Sequence, residues 1–380
     1  MTRELEPADL VLRFLQGVGP GSEAEFYLRL FRSQPSERFA TIAVLADALD
    51  ETATSVAFDL ALLARLGLFP IVVLGLDGAD AAGTHAEQLA ERARQAGVDT
   101  VTLPASAARE QIAAVTRSGR IPLVVTACPD ARTRQVELAA VVSAARSHKL
   151  VVLRAAGGLR AAGDPLSVVN LSTQFAALSA DARVSAADRT LLADVRRLIF
   201  ELVAHPLLVA VASPLNVLHE LFTVRGAGTL LRTGAVVVRH DRYQTVDVDR
   251  LSALLASGFG RTPRAGFFTT PPRYTYIADD YRGAALITQT GLGAYLTKFA
   301  VTRQAQGEGI GQDLWGALIA DHPTLIWRAR RDNPIRSWYE RQCHGRFDVD
   351  QWTVYVRGLQ AAQIGDAVAL AVSQPVDFDL

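Results

Sequence analysis

Four residues towards the end of the chain could together manage an amine, an acid and a leaving group: Lys298, Arg328, Asn333 and Tyr339. Lys298 and Arg328 lie inside the runs YLTKFAV and LIWRAR, which read as strands. A cation within each of two neighbouring strands is costly to bury without an anion. The pair could therefore receive the carboxylates of a small dicarboxylic substrate; the plainer alternative is a strand-end cation reaching solvent or pairing with Asp332. Asn333 precedes Pro334, a common helix start, so it is either a simple cap or an amide turned towards a substrate. Tyr339 follows about a turn and a half into that helix. It is either a core aromatic or a hydroxyl that protonates a leaving group. Between the two strands lies QGEGIG, with glycine at 307, 309 and 311. Gln306, Gly307, Glu308, Gly309, Ile310 and Gly311 would expose successive amides beside a helix N-terminus, an anion site suited to a pyrophosphate.

The elements that must position these groups form a strand–loop–helix–strand unit. Thr297–Thr302, the glycine loop, a helix from Gly309 to Asp321 and Thr324–Arg330 are long enough for a parallel crossover. Period-two alternation predicts Lys298 on one face with Leu296 and Ala300, and Arg328 with Arg330 opposite Leu325, Trp327 and Ala329. The rest of this half reads as a helix at Val248–Ser257, strands at Tyr274–Ile277 and Gly283–Thr288, a helix from Pro334, and a strand pair at Arg346–Val349 and Trp352–Leu359. The first half alternates apolar strand runs (Phe39–Leu45, Ile71–Leu76, Ile121–Thr126, Leu150–Leu153) with helical stretches (Ser55–Leu66, Thr84–Ala96, Arg134–Ser147). That order predicts an open, largely parallel α/β sheet. The expected organisation is a helical segment over 1–34, an α/β domain over 35–234, a linker over 235–246 and a second domain over 247–380.

A chain of 380 residues suits two such domains. Hydrophobic content of 49% and charged content of 21% describe an ordinary globular chain. A net charge of +0 gives no electrostatic case for nucleic acid or an anionic membrane surface. No apolar run approaches the roughly 18 residues that span a bilayer; Leu198–Leu218 is broken by Glu201, His205, Pro206 and Pro214. The opening MTRELEPADL lacks an apolar signal core, so a cytoplasmic location is expected. Cys128 and Cys343 have neither disulfide-framework nor metal-ligand spacing, and no metal is expected. The lysines are Lys149 and Lys298, so chemistry that needs a lysine has two candidates.

The Gln-x-x-Gly-x-Gly spacing between strand and helix resembles the acetyl-CoA loop of GNAT-type N-acetyltransferases. With YLTKFAV, LIWRARRDNPIRSWY and GRFDVDQWTVYVRGL, the chain over most of Asp247–Leu359 resembles the acetyltransferase domain of vertebrate-type N-acetylglutamate synthases and the bifunctional synthase/kinases. The resemblance implies an amino-acid-kinase-like open α/β sandwich followed by a GNAT-type domain with a mixed sheet. It also implies acetyl transfer from acetyl-CoA to L-glutamate in arginine biosynthesis. Lys298, Arg328, Asn333 and Tyr339 fall on the family's glutamate-site and catalytic positions, and Phe299, Ala300, Val301 and Gln306–Gly311 on its acetyl-CoA positions.

Patches of the first half (Arg38–Gly75, Lys149–Phe175, Leu218–Gly234) resemble the kinase fold. Where the family has a Lys-x-Gly-Gly turn this chain has Ala43-Val44-Leu45-Ala46, and no lysine occurs between Ser172 and Arg197. Without cations on the transferring phosphate, kinase activity is expected to be absent. Tyr27–Phe31 resembles a Tyr-Leu-x-x-Phe helix segment of relatives that use their kinase-like domain for oligomer assembly and arginine control, and the helix here is expected to mediate self-association. A homo-oligomer is expected, with arginine as a candidate effector and a separate acetylglutamate kinase as a candidate partner. A non-catalytic scaffold, or a transferase for another amine, are the alternative functions.

Overall fold

The computed structural model describes residue 28 and residues 39–375, apart from 79, 108, 224–225, 265, 270, 279, 306–307 and 334. It divides into two compact units, Met1–Thr233 and Gly234–Leu380.

In the first unit β1 (Thr41–Val44) leads through α1 (Ala46–Arg65) to β2 (Ile71–Leu74), and α2 (Ala82–Gln95) leads to β3 (Thr100–Pro104). Next come α3 (Arg109–Arg117), β4 (Ile121–Val125), α4 (Ala131–Ala145) and β5 (Lys149–Leu153). A small hairpin, β6 (Arg160–Ala161) with β7 (Asp164–Pro165), precedes β8 (Val168–Asn170), α5 (Phe175–Ala180) and α6 (Ala186–Arg197). The unit closes with β9 (Leu208–Ala212), α7 (Val217–Phe222) and β10 (Thr229–Arg232). The sheet order is β3-β4-β2-β1-β5-β9-β10-β8, and the pairs from β3 through β9 are parallel. The run IVVL is apolar throughout, and TIAV is apolar after Thr41, because helices cover both faces. Ile42, Val44, Val72 and Leu74 pack with α1 and α2. Ala43, Ile71, Val73 and Val124 pack on the other side with α4 and α6. Helix α1 starts at Ala46 and not at Ser55, because a kink at Thr52 (φ −135°) joins two helical pieces. Of the segment Tyr27–Phe31, Leu28 is described and lies buried in the α1 side of the core; the other four residues lie outside the described residues.

The second unit contains β11 (Val237–His240), α8 (Val248–Phe259), β12 (Tyr274–Ala278), β13 (Gly283–Thr290) and β14 (Gly293–Val301). Then follow α9 (Ile310–Asp321), β15 (Leu325–Arg330), α10 (Arg336–Gln342), β16 (Gly345–Val349), β17 (Trp352–Arg357) and α11 (Ile364–Ser373). Its sheet runs β11-β12-β13-β14-β15-β17-β16; β14 and β15 are parallel and every other neighbouring pair is antiparallel. Helices α8 and α11 pack on one face, called the front, through Leu251, Leu254 and Leu255 and through Ala367 and Ala371. Helices α9 and α10 pack on the rear face through Ile310, Leu314, Leu318 and Tyr339.

Three expectations are corrected here. The supposed linker 235–246 carries β11, an edge strand antiparallel to β12, and the division falls between Thr233 and Gly234. Helix α11, which clothes the front face, was not expected at all. Leu296 does not share a face with Lys298 and Ala300. Ile287 pairs with Leu296 while Leu286 pairs with Lys298, so Thr297 is an extra residue and β14 bulges there. Leu296 and Phe299 consequently join the rear core and Ala300 the front one.

A forked strand pair between an acid and two cations

The ladder between β14 and β15 holds three residue pairs, Ala294–Leu325, Tyr295–Ile326 and Leu296–Trp327, and then stops. Beyond it β14 stays with β13 as far as Val301, and β15 stays with β17 as far as Arg330. The sheet forks there, leaving facing backbone edges without ladder partners among the described residues. The bulge at Thr297 falls on the first residue past the fork.

Lys298 and Arg328 are the first front-face residues beyond the fork, one on each arm. Lys298 is half-buried, its Nζ donating to the Thr297 carbonyl at 3.0 Å and lying 5.4 Å from the centre of the Phe267 ring. Arg328 differs from its expected state. Its Nη1 donates to the carbonyls of Ala371 and Val372, both at 2.9 Å, and its Nη2 to those of Gln374 and Pro375, both at 2.8 Å. Its guanidinium carbon lies 3.9 Å from the centre of the Trp352 ring. All four Nη hydrogens thus close the C-terminal end of α11, where a cation also complements the helix dipole. The simple picture of Arg328 holding its fork open to a carboxylate is corrected: only Nε–H is left over. Asp332, the acid considered for these cations, is taken by Arg330 at 3.1 Å.

Asn333 is not the residue at the start of a helix beginning at Pro334, because α10 begins at Arg336. Its Oδ1 accepts from Ile335 N at 2.9 Å, and its carbonyl accepts from Arg336 N at 3.1 Å. That Asx turn fixes which way the amide points, and no described group accepts from its Nδ2. Two donors therefore remain beside the fork.

Tyr339 stands on the rear face, opposite the cations. It is 5% exposed and ringed by Trp315, Trp327, Trp338 and Tyr355, with ring centres 5.1–6.5 Å apart within the group. Burial, and secondarily the neighbouring Tyr355, push its phenol well above the ordinary tyrosine range. It stays protonated at any physiological pH and can act as an acid, not as a resting base. No described group hydrogen-bonds its hydroxyl. Trp338 stacks on Phe299 at 5.4 Å.

The glycine loop leads into the rear helix α9. Gln306 and Gly307 lie outside the described residues. Gly309 has φ +80°, a left-handed conformation that a side chain would strain, and it delivers the chain to Ile310. Glu308 is held by an ion pair with Arg282, the residue before β13, which neutralises a carboxylate that would otherwise oppose an anion at this helix end. Ile310, Phe299 and Ala300 have buried side chains, so what they can offer a ligand is backbone. Val301 is half-buried, and its Cγ2 lies 3.6 Å from where a Cβ on Gly311 would stand. No group of His, Cys, Asp and Glu among the described residues could hold a metal ion. Reasoning from sequence missed the Thr297 bulge, the α11 carbonyls, Trp352, Tyr355 and Arg282. Strand alternation flags polar positions, but nothing in the sequence gives cross-strand register.

In the first unit the corresponding strand ends are closed by the chain itself. At the end of β1, Ala46 N donates to Asp77 Oδ2 at 2.8 Å. After β5, Ala155 N donates to Asp47 Oδ2 at 3.2 Å. Lys149 is committed to Glu220, 3.0 Å from Oε1 and 2.6 Å from the backbone carbonyl.

Residues 238–373 match the family model described as NAT, N-acetyltransferase, of N-acetylglutamate synthase. An acetylglutamate kinase of Xylella fastidiosa is 33% identical over 231 residues, 60% of this chain; the chain spans about half of that relative's length, 55%. The mitochondrial N-acetylglutamate synthase of Homo sapiens is 30% identical over 405 residues, 93% of this chain and 75% of that protein. Among solved structures, N-acetylglutamate synthase from Neisseria gonorrhoeae, complexed with coenzyme A and N-acetyl-glutamate, aligns with a TM-score of 0.51 at 16% identity, covering 89% of this chain and 98% of that one. No described helix is long and apolar enough to cross a membrane.

Proposed function

The chain belongs to the N-acetylglutamate synthase family, and from that premise we propose that it moves the acetyl group of acetyl-CoA onto the amine of L-glutamate. One observation carries the reading: the three-pair ladder opens where cations stand on one face and a buried acid on the other. An acyl donor enters from the rear. Its pyrophosphate meets the α9 N-terminus and its peptide-like arm pairs with the unladdered edge of β14, through the backbone of Phe299, Ala300 and Val301. The amino acid enters from the front, with Lys298 holding a carboxylate. Arg328 meets the second carboxylate through Nε–H, or by exchanging the carbonyls of Gln374 and Pro375 for a stronger charge-assisted partner. The neutral amine then attacks the thioester carbonyl through the fork. Asn333 Nδ2 orients the reacting groups, and Tyr339 gives its proton to the departing thiolate.

The first unit we read as kinase-like in fold and without phosphoryl transfer. Asp77 and Asp47 sit on amides that a phosphate would need, and the lysine of the turn and one between Ser172 and Arg197 are missing. Its role is then assembly or effector binding. Arginine is the candidate effector, as the Neisseria gonorrhoeae enzyme has also been solved with coenzyme A and L-arginine. A reducing, cytoplasmic setting suits the free thiols Cys128 and Cys343. The test is purified protein with acetyl-CoA and glutamate, scored for free thiol, beside a trial with ATP and N-acetylglutamate. Thiol release in the first trial and no ADP in the second are expected. Release with other amino acids but none with glutamate would sink the substrate assignment.

A further inference from the structure

The loop between α8 and β12 sets an aromatic ring against Lys298, and the reaction as described gives that ring no part. Gly266 has φ +90°, a left-handed conformation that a side chain would strain, and it leads the chain into the short turn Phe267–Thr269. Phe267 N donates to the Arg264 carbonyl at 3.0 Å. Thr269 donates to the Gly266 carbonyl through N at 2.9 Å and through Oγ1 at 2.6 Å. Behind the turn the support continues. Phe267 meets Phe268 edge-on, with ring centres 4.8 Å apart, and Phe268 stacks on Tyr243 at 6.4 Å. All three rings are half-buried against the front core of Leu251, Leu254, Leu255 and Leu286.

The ring so supported ends at a cation: Lys298 Nζ lies over it, 5.4 Å from its centre. The same Nζ donates to the Thr297 carbonyl at 3.0 Å. A ring face and a carbonyl oxygen both present partial negative charge to an ammonium, and neither cancels its charge. A lysine side chain otherwise samples many rotamers and loses that freedom on meeting a ligand. Here two contacts hold the charge on its arm of the fork before an acid arrives.

We propose that Phe267 is a positioning residue of the acceptor site, whose ring holds the Lys298 ammonium in place for a carboxylate. The inference rests on the acceptor site of the proposed function. Phe267 acts through Lys298 and not on the reacting atoms. Its negative face repels a carboxylate, so the acid is met on the side of the ammonium turned away from the ring. Preorganisation of this kind raises affinity without a new contact to the substrate.

The experiment is steady-state kinetics of the full chain with acetyl-CoA and L-glutamate, for Phe267→Leu, Phe267→Tyr, Lys298→Ala and the Phe267→Leu, Lys298→Ala double variant. Phe267→Leu should raise the glutamate KM about three- to tenfold and leave kcat and the acetyl-CoA KM unmoved. Phe267→Tyr keeps the ring and should stay within about twofold of the parent. The double variant should be no worse than Lys298→Ala, because a residue that acts through Lys298 then has nothing to act on. Losses that add, or a tyrosine variant as poor as the leucine one, overturn the proposal. An unchanged glutamate KM in Phe267→Leu, with Lys298→Ala impaired, also overturns it and leaves the acetyl-transfer reading intact. An unchanged glutamate KM in Lys298→Ala removes Lys298 from the acceptor site, and the proposal with it. If Phe267→Leu does not fold, fluorination of the Phe267 ring keeps its shape and drains the negative face. The glutamate KM should then climb with each added fluorine, and a flat series overturns the proposal.

Discussion

The two units treat the ends of their central strands in opposite ways. In the first, the amides after β1 and β5 are occupied by the chain's own Asp77 and Asp47. In the second, the acids beside the α9 N-terminus are drawn off, Glu308 by Arg282 and Asp313 by the amide of Ala235, and the β14–β15 edges have no ladder partner among the described residues. Helix starts at strand ends are favourable anion sites wherever they occur. What separates an open site from a shut one is where the nearest carboxylate is tethered. On the proposed reading, one or two side chains are enough to shut such a site while the architecture stays.

Variants can break or sharpen that contrast. The largest effect is expected at Lys298→Ala, which removes a charge-assisted contact worth roughly 1.5–3 kcal/mol. The glutamate KM should rise about ten- to a hundredfold with the acetyl-CoA KM unmoved; equal changes in both would remove Lys298 from the acceptor site. Arg328→Ala should raise the glutamate KM and also lower the melting temperature, since four carbonyls at the end of α11 lose their donor. A fall in stability with an unchanged glutamate KM would make Arg328 a fastener of α11 alone.

A smaller effect concerns pH. Asp59 on α1 is pushed up to about 7 by burial, and no described group pairs with it. Its protonated form suits the fold. The associated stability is complete below the ordinary value of 3.8 and is lost as pH rises through about 7. Asp59→Asn should therefore melt higher than the parent near pH 8, with the difference closing towards pH 4; a constant difference would contradict the titration. The smallest effect is at Asp77→Ala, which uncaps Ala46 N and should cost about 0.3–1 kcal/mol while letting sulfate raise the melting temperature. No sulfate response would mean that the strand end is shut by more than that carboxylate.

Much of this was legible beforehand. Apolar runs at β1, β2, β4 and β5 announced a buried parallel sheet, since only strands covered on both faces can be apolar throughout. The glycine loop between strand and helix announced a tight turn, because left-handed Gly309 has a local steric signature. Less was legible wherever the cause was distant in sequence. The edge strand β11 looked like a linker because Val237–His240 pairs with β12, not with a near neighbour. Sequence does not distinguish the Asn333 turn from a helix cap, because an Asx turn and a cap use the same residue type.

Residue types alone settled which chemistry was available: two lysines, a loop of alternating glycines and a tyrosine beyond an Asn-Pro step. Tertiary structure decided how that chemistry was spent. The Thr297 bulge set which side of the sheet Lys298 faces, and the end of α11 claimed the Arg328 hydrogens. Register across the sheet set Tyr355 against Trp327. Local conformational preference acts over a few residues and can be read along the chain. Register and capture of a side chain depend on groups that meet only when the whole sheet has closed.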